Sequence, residues 1–214
     1  MINTSLVNIL KLLPGIILGL TVHEYCHALM AQWCGDNTSR DQGRLTLNPL
    51  KHIDPLGFIM LIIAGFGWAK PVQFNEQNLR NPKSDVLKIA IAGPMANAIT
   101  AIFLSIIFVY SKRLLPGYPG YTMQIIFDIL LDGIYINWAL FVFNLIPIPP
   151  LDGSHLLFYP LRKFPVIYNV LYKYGTLVLF GILIISSLSK SNFIPILPLI
   201  TFLGKGVLHL LGWG

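Results

Sequence analysis

Charge is scarce in this chain: Asp, Glu, Lys and Arg together make up 11% of its 214 residues, while 55% are hydrophobic. A soluble domain carries about a quarter of its residues as charges, so a surface that faces water all round is excluded. Together with a mean hydropathy of +0.68, this leaves a polytopic membrane protein. No polar block is long enough to fold separately, so residues 1–214 read as one domain. Cysteine is equally sparse: Cys26 and Cys34 cannot make a disulfide framework and read as small buried residues in or beside the first apolar helix. Basic residues outnumber acidic ones fifteen to nine, for a net charge of +6. They form no basic helix and do not interleave with aromatics, which excludes nucleic acid as a partner. The N-terminus lacks a basic leader and a convincing cleavage site, and is read as retained.

What the chain does have is recurrent apolar runs. The first span is expected from Leu6 to Ala31, followed by a polar stretch in which Gly43 to Leu47 alternates like a short strand. Leu56 to Ala69 is apolar but short and broken by Gly57, Gly65 and Gly67. Crossing the hydrocarbon core takes about twenty residues, so this piece is marginal as a span. Ile89 to Tyr110 is long enough to cross, as is Met123 to Ile148 apart from Asp128 and Asp132 near its start. Tyr174 to Ser189 is a further span, and Phe193 to Leu211, with Pro195, Pro198 and Lys205, is kinked or interfacial.

The expected fold is therefore an all-α polytopic membrane protein with about five to six transmembrane helices. A short re-entrant β-hairpin or loop should lie between the first and second certain spans, with the core over about residues 6–155 and the C-terminal helices over about 170–212. Arg40, Arg44, Lys51, Lys70, Arg80, Lys83 and Lys88 cluster between those two spans, and Arg162, Lys163 and Lys173 follow the Pro-rich stretch near position 150. Basic loops face the cytoplasm.

Against this apolar background, His23-Glu24-Tyr25-Cys26-His27 stands out. Ionisable side chains at membrane depth are costly and need a compensating partner. On a helix, positions 23 and 27 share a face one turn apart, so both imidazoles can reach one metal ion with Glu24 beside them. Zinc is the expected ion, one per chain. A catalytic zinc usually takes a third protein ligand plus an open position, and Asp152 is the best-placed candidate. If the first span runs outside to inside, Ile89 to Tyr110 returns and Met123 to Ile148 comes back, leaving Asp152 on the His27 side. A full crossing by Leu56 to Ala69 would put Asp152 on the opposite face, so the metal site requires that segment to be re-entrant or shallow. Asp132, in a second Leu-Asp-Gly tripeptide, lies about 30 Å of helical rise from Asp152, on the wrong side; with Asp128 it reads as an interfacial pair. His52, His155 and His209 read as interfacial or packing residues.

These residues carry a family resemblance. His23 to His27, Ala92-Gly93-Pro94-Met95-Ala96-Asn97 and Asn144-Leu145-Ile146-Pro147-Ile148-Pro149-Pro150-Leu151-Asp152-Gly153 resemble the site-2 protease family of intramembrane zinc metalloproteases. Leu47 to Gly57 and Gly67 to Val72 resemble its compact bacterial branch, without the PDZ or CBS domain of many relatives; the likeness covers about residues 15 to 155. It implies an endopeptidase of the cell membrane, with its active site near the cytoplasmic face, that cuts transmembrane protein substrates within the lipid bilayer in regulated proteolysis. It implies metal ligands His23, His27 and Asp152, and Glu24 as the base that takes a proton from water and returns it to the leaving amine. It further implies that Asn144 and Asn97 contact the substrate backbone or the developing oxyanion, although each could equally be an interhelical hydrogen-bonding Asn. Because hydroxide cannot come from lipid, the site needs a water-accessible cavity, and a helical substrate must unwind locally. Gly65 to Phe74 is the expected strand edge for it. A zinc transporter and a non-catalytic helix-binding pseudoprotease are the alternatives. The first should spread its ligands along a path, and the second has no need of Glu24. Oligomeric state is not legible.

Overall fold

A computed structural model describes residues 2–64, 67–115, 117, 120–189 and 196–213. Among these residues eight α-helices follow in chain order: α1 (Ile2–Trp33), α2 (Thr38–Asp41), α3 (Pro55–Ala64), α4 (Pro82–Leu114), α5 (Tyr121–Asn144), α6 (Gly153–Leu161), α7 (Pro165–Ser189) and α8 (Ile196–Leu210). Single 3-10 turns sit at Pro49–Lys51 and Glu76–Asn78.

The long helices end where local chemistry dictates. Past α1, Gly35 takes φ +111° and its N–H bonds Gln32 O, while Asp36 N reaches back to Ala31 O, so the last carbonyls of the helix are satisfied by a left-handed residue. Pro82 opens α4, where its missing N–H costs nothing, and Asp85 in the first turn accepts from Asn81 N. Beyond α5, Pro147, Pro149 and Pro150 supply no N–H to continue the ladder.

Helices α1, α4 and α5 pack against one another in pairs. The crossing of α1 and α5 is so close that a Cβ on Gly15 would lie 2.8 Å from the Gly133 Cα. Small residues at such a crossing let backbones approach where lipid offers no hydrophobic drive. On the other side of α5, α8 buries Ile200 and Leu208 into a core with Ile134, Trp138 and Phe108. Pro198 lies in the first turn of α8, where it imposes no kink. Phe193 to Pro195 are outside the described residues.

Among the described residues, three helices are long and apolar enough to cross a membrane: Ile9–Trp33 within α1, α4 and α5. This is fewer than the five to six expected. Helix α8, at 15 residues, spans about 22 Å, short of the ~30 Å hydrocarbon core. The expected strand at Gly43 to Leu47 is not formed: the alternation is not a burial pattern, because Arg44 is the buried residue and Leu47 is exposed. Nor does a hairpin form among the described residues. Asp54 accepts from Gly57 N, and Pro55 begins a helix, so the ladder shrinks to one antiparallel bridge between Ile53 and Ala69 beside the bond from Lys70 N to His52 O, 2.8 Å. The two ends of the 53–69 segment thus meet. Between them α3 rises only about 15 Å. Gly57 and Gly67 make the closure possible, since a Cβ on Gly57 would lie 2.2 Å from Trp68 O.

Candidate metal centre

Helix α1 presents His23, Glu24 and His27, all buried, and the turn after α5 brings Asp152 onto the same point. His23 Nε2 and His27 Nε2 are 2.9 Å apart, and Asp152 Oδ2 lies 3.0 Å from the first and 3.2 Å from the second. The opposite ring nitrogens fix what these atoms are. His27 Nδ1 is 2.7 Å from Ile89 O, a carbonyl that can only accept, so Nδ1 carries the proton and Nε2 a lone pair. His23 Nδ1 is 2.7 Å from Asn97 Oδ1, whose amide nitrogen is already given to Gly19 O; here too the proton is on Nδ1.

Two lone pairs and a carboxylate oxygen therefore converge without a proton between them, and Asp152 Oδ2 is buried with no hydrogen-bond donor. Three acceptors in contact repel unless a cation sits among them. Two imidazoles and one carboxylate are the donor set of an open zinc site, whose ligand atoms stand about 3.3 Å apart in tetrahedral geometry, so the residues fit the ion.

The surroundings are shaped to this cluster. A Cβ on Gly93 of α4 would lie 2.3 Å from His27 Nε2 and 2.7 Å from His23 Nε2, so only glycine fits. After Asp152, a Cβ on Gly153 would lie 2.3 Å from Leu145 O, which is why the turn can fold back tightly at this residue. Glu24 Oε2 accepts from Val72 N at 2.7 Å, tying the carboxylate to the strip of chain after the 53–69 segment. That strip is held by residues that sequence reasoning passed over. Asp36, wholly buried, accepts from Thr38 N and Oγ1, from Asn78 Nδ2 and from Asn75 N. Burial pushes its carboxyl up, but the four donors outweigh that and hold it below the usual carboxylate range. Ser39 Oγ donates to Gln73 O at 2.5 Å, and the buried Arg44 donates to Lys51 O and Lys70 O. The only sequence hints were an Asp and an Arg in a loop next to a helix end.

A cavity of about 600 Å³ adjoins the cluster, lined by Glu24, His27, Asp152 and His155 and by Glu76, Arg162, Tyr168 and Tyr172. Arg162 makes a bidentate pair with Glu76 at 2.6 and 2.7 Å, joining the loop before α7 to the strip, and keeps the Glu76 carboxyl below its ordinary range. Burial pushes the His155 imidazole down and so favours its neutral form.

Of the residues singled out by sequence, the structure brings His23, Glu24, His27 and Asp152 together. Asn97 is fully buried, with its carbonyl on His23 and its amide on Gly19 O and Asn137 Oδ1. Asn144 is half-buried and gives one N–H to Leu140 O. His52 is buried with Nε2 on Thr46 O, away from the cluster, and His209 is exposed near the end of α8. Asp128 pairs with Lys11 of α1 at 2.8 Å rather than with Asp132; all three line a separate cavity.

Comparison with known proteins gives concordant results. Residues 11–128 match the model of Peptidase family M50. The chain is 40% identical over 156 residues to "Putative zinc metalloprotease YwhC" of Bacillus subtilis, covering 69% of each. It is 31% identical over 150 residues to "Putative zinc metalloprotease Rip2" of Mycolicibacterium smegmatis, covering 66% of this chain and 53% of that one. A third relative, "Putative zinc metalloprotease MJ0611" of Methanocaldococcus jannaschii, is 32% identical over 103 residues, about half of each chain. No solved structure matches.

Proposed function

The chain belongs to peptidase family M50, and from that premise we propose that this membrane zinc protease is an intramembrane endopeptidase that cleaves peptide bonds in or near the membrane-spanning segments of other proteins. The observation that carries the reading is the meeting of three proton-free acceptors, His23 Nε2, His27 Nε2 and Asp152 Oδ2, beside the buried Glu24. When bound there, zinc supplies a Lewis acid that acidifies water and polarises the scissile carbonyl. Glu24, anchored through Oε2 to Val72 N, takes the proton of the attacking water and later delivers it to the leaving amine. An unwound substrate segment lies along residues 71–74, which border the cavity. Asn97 has its hydrogen bonds committed inside the bundle, so of the two asparagines Asn144 is the one with capacity left for a substrate carbonyl.

Topology follows the same logic. Helix α1 runs inward, α4 outward and α5 inward, and the 53–69 segment dips in and returns, which keeps Asp152 beside the histidines. The basic residues on the loops at that end support a cytoplasmic placement of the site, and the membrane of this reading is that of the cell. A transport reading needs ligands strung along a path, whereas His23, His27 and Asp152 are the one group of three metal-capable side chains among the described residues close enough to share an ion.

The test is purification in detergent, zinc quantification, and incubation with a panel of single-span membrane proteins beside Glu24→Gln. Wild type is expected to hold about one zinc and to cleave, and Glu24→Gln to hold zinc without cleaving. Cleavage that persists in Glu24→Gln, or zinc that stays after His23→Ala with Asp152→Ala, overturns the assignment.

A further inference from the structure

Buried in the middle of the bundle, Asn137 of α5 touches neither the cavity nor the metal cluster, yet it is wholly inaccessible and both its amide oxygen and its amide nitrogen are hydrogen-bonded. Its Nδ2 donates to Gly133 O, one turn back on its own helix, at 2.8 Å. Its Oδ1 accepts from Asn97 Nδ2 at 3.1 Å. Polar residues at this depth are expensive and ask for a reason.

The reason lies in the direction of each bond. An asparagine amide has a donating end and an accepting end, and its partners decide which way round it sits. Gly133 O is a backbone carbonyl and can only accept, so Asn137 must turn its NH2 toward it. Its Oδ1 then faces Asn97, which must present NH2 in turn, with one proton for Asn137 and the other for Gly19 O at 2.9 Å. That leaves the Asn97 carbonyl for His23 Nδ1, which must carry the proton, and the lone pair falls on Nε2, among the metal-facing atoms. Four links on three helices transmit one polarity. Were the Asn97 amide reversed, it would offer a donor to Nδ1, and the proton would move to Nε2, the atom that has to ligate.

Resting on His23 as a metal ligand, we propose that Asn137 is a positioning residue for the zinc site: together with Gly19 O it fixes the orientation of the Asn97 amide, and so holds His23 in the tautomer that can bind metal. The packing agrees with this assignment. A Cβ on Gly19 would lie 3.0 Å from Asn137 Oδ1, so the absence of a side chain at Gly19 opens the space in which the carbonyl of Asn137 can face α1.

Replacements that separate polarity from packing test the idea. Asn137→Leu keeps the branched shape, at somewhat larger volume, and removes the acceptor. Asn137→Asp as the neutral acid keeps the carbonyl toward Asn97 and gives its proton to Gly133 O, and Asn137→Ser keeps the same polarity in a smaller side chain. Zinc affinity is measured on the purified full chain by competition with a chromogenic chelator, with thermal unfolding of the metal-free protein alongside. The expected result is a loss of about 10–100-fold in zinc affinity for Asn137→Leu, the range seen when outer partners of metal ligands are removed. Asn137→Asp or Asn137→Ser should stay within about threefold of wild type. The reverse order, with Leu tolerated and both Asp and Ser impaired, makes Asn137 a packing residue and overturns the proposal, as does equal affinity in all three. A wild type that binds no zinc overturns the metal reading itself, which is a distinct outcome. Should Asn137→Leu fail to fold, Asn137→Ser against Asn137→Ala, which lacks the acceptor, decides by the same order.

Discussion

Gly93→Ala adds one methyl group to the chain, and its consequence can be worked from the distances. The new Cβ would lie 2.3 Å from His27 Nε2 and 2.7 Å from His23 Nε2, about 1.1 Å and 0.7 Å short of the 3.4 Å at which ordinary contact begins. Neither ring can simply slide away, because Nδ1 of His27 is held by Ile89 O and Nδ1 of His23 by Asn97. Metal–ligand distances hold to within about 0.2 Å of their ideal values, so a shift several times larger at two of three candidate ligands should lower zinc affinity by at least about 100-fold, or ~2.7 kcal/mol. Helix propensity pushes the other way, since Ala is better than Gly in a helix interior by roughly 1 kcal/mol. The signature is thus loss of zinc without a matching loss of helix. The assay is chelator competition together with circular dichroism of the metal-free protein, and Gly181→Ala, on α7 with open space around it, is the control. Zinc affinity in Gly93→Ala within threefold of the control would refute the reasoning.

Glu24→Gln should lower the cleavage rate by about 10²–10⁴-fold with zinc retained, as read by single-turnover kinetics and metal analysis. Arg44→Met leaves the Lys51 and Lys70 carbonyls without their charged donor, and a loss of about 2–4 kcal/mol is expected, visible as faster limited proteolysis between residues 44 and 70; unchanged proteolysis would contradict the role. The Asp36 carboxyl is lowered on folding, so its contribution to stability is complete above the unfolded value of ~3.9 and fades as the pH falls through the lower folded value. Thermal unfolding between pH 6 and pH 3 should show this decline and Asp36→Asn should flatten it; parallel curves would count against it. Glu76→Gln breaks a half-exposed pair, and its cost in unfolding free energy should stay within about 1 kcal/mol; a larger drop would mean the pair holds more of the fold than its exposure allows.

The helix of the candidate metal site was readable because three costly residues at helical spacing in an apolar run have few bland explanations, and counting crossings pointed to Asp152, which the structure brings beside the two histidines. What sequence could not show were contacts made by backbone. Gly93 is indistinguishable in a string from any helical glycine until the two imidazoles are seen against it. Asn97 was taken for a substrate contact or an interhelical link; its bonds run to His23, Gly19 and Asn137 inside the bundle, a pattern that depends on which helices are neighbours. Gly43 to Leu47 misled for a related reason: a two-residue alternation signals a strand only when one face is buried, and here the buried member is Arg44, turned inward to serve two loop carbonyls. Asp36 looked like an ordinary loop acid, since its four donors come from residues up to 42 positions away.

The glycine contact between α1 and α5 has a mechanical side. Gly15 and Gly133 bring the two backbones together about 12 Å of helix away from His23, and α5 leads at its far end to Asp152. Two helices that cross this closely can act as levers about the crossing, one carrying His23 and His27 and the other leading to Asp152, the candidate ligands of one ion. A change of about 5° in their crossing angle would move the tip of α1 by about 1 Å, several times the displacement a metal site accepts. Stiffness at a joint remote from the chemistry therefore sets how still the ligands are held, and a bulky residue at position 15 or 133 would act as a wedge, felt at the tips and magnified in proportion to their distance.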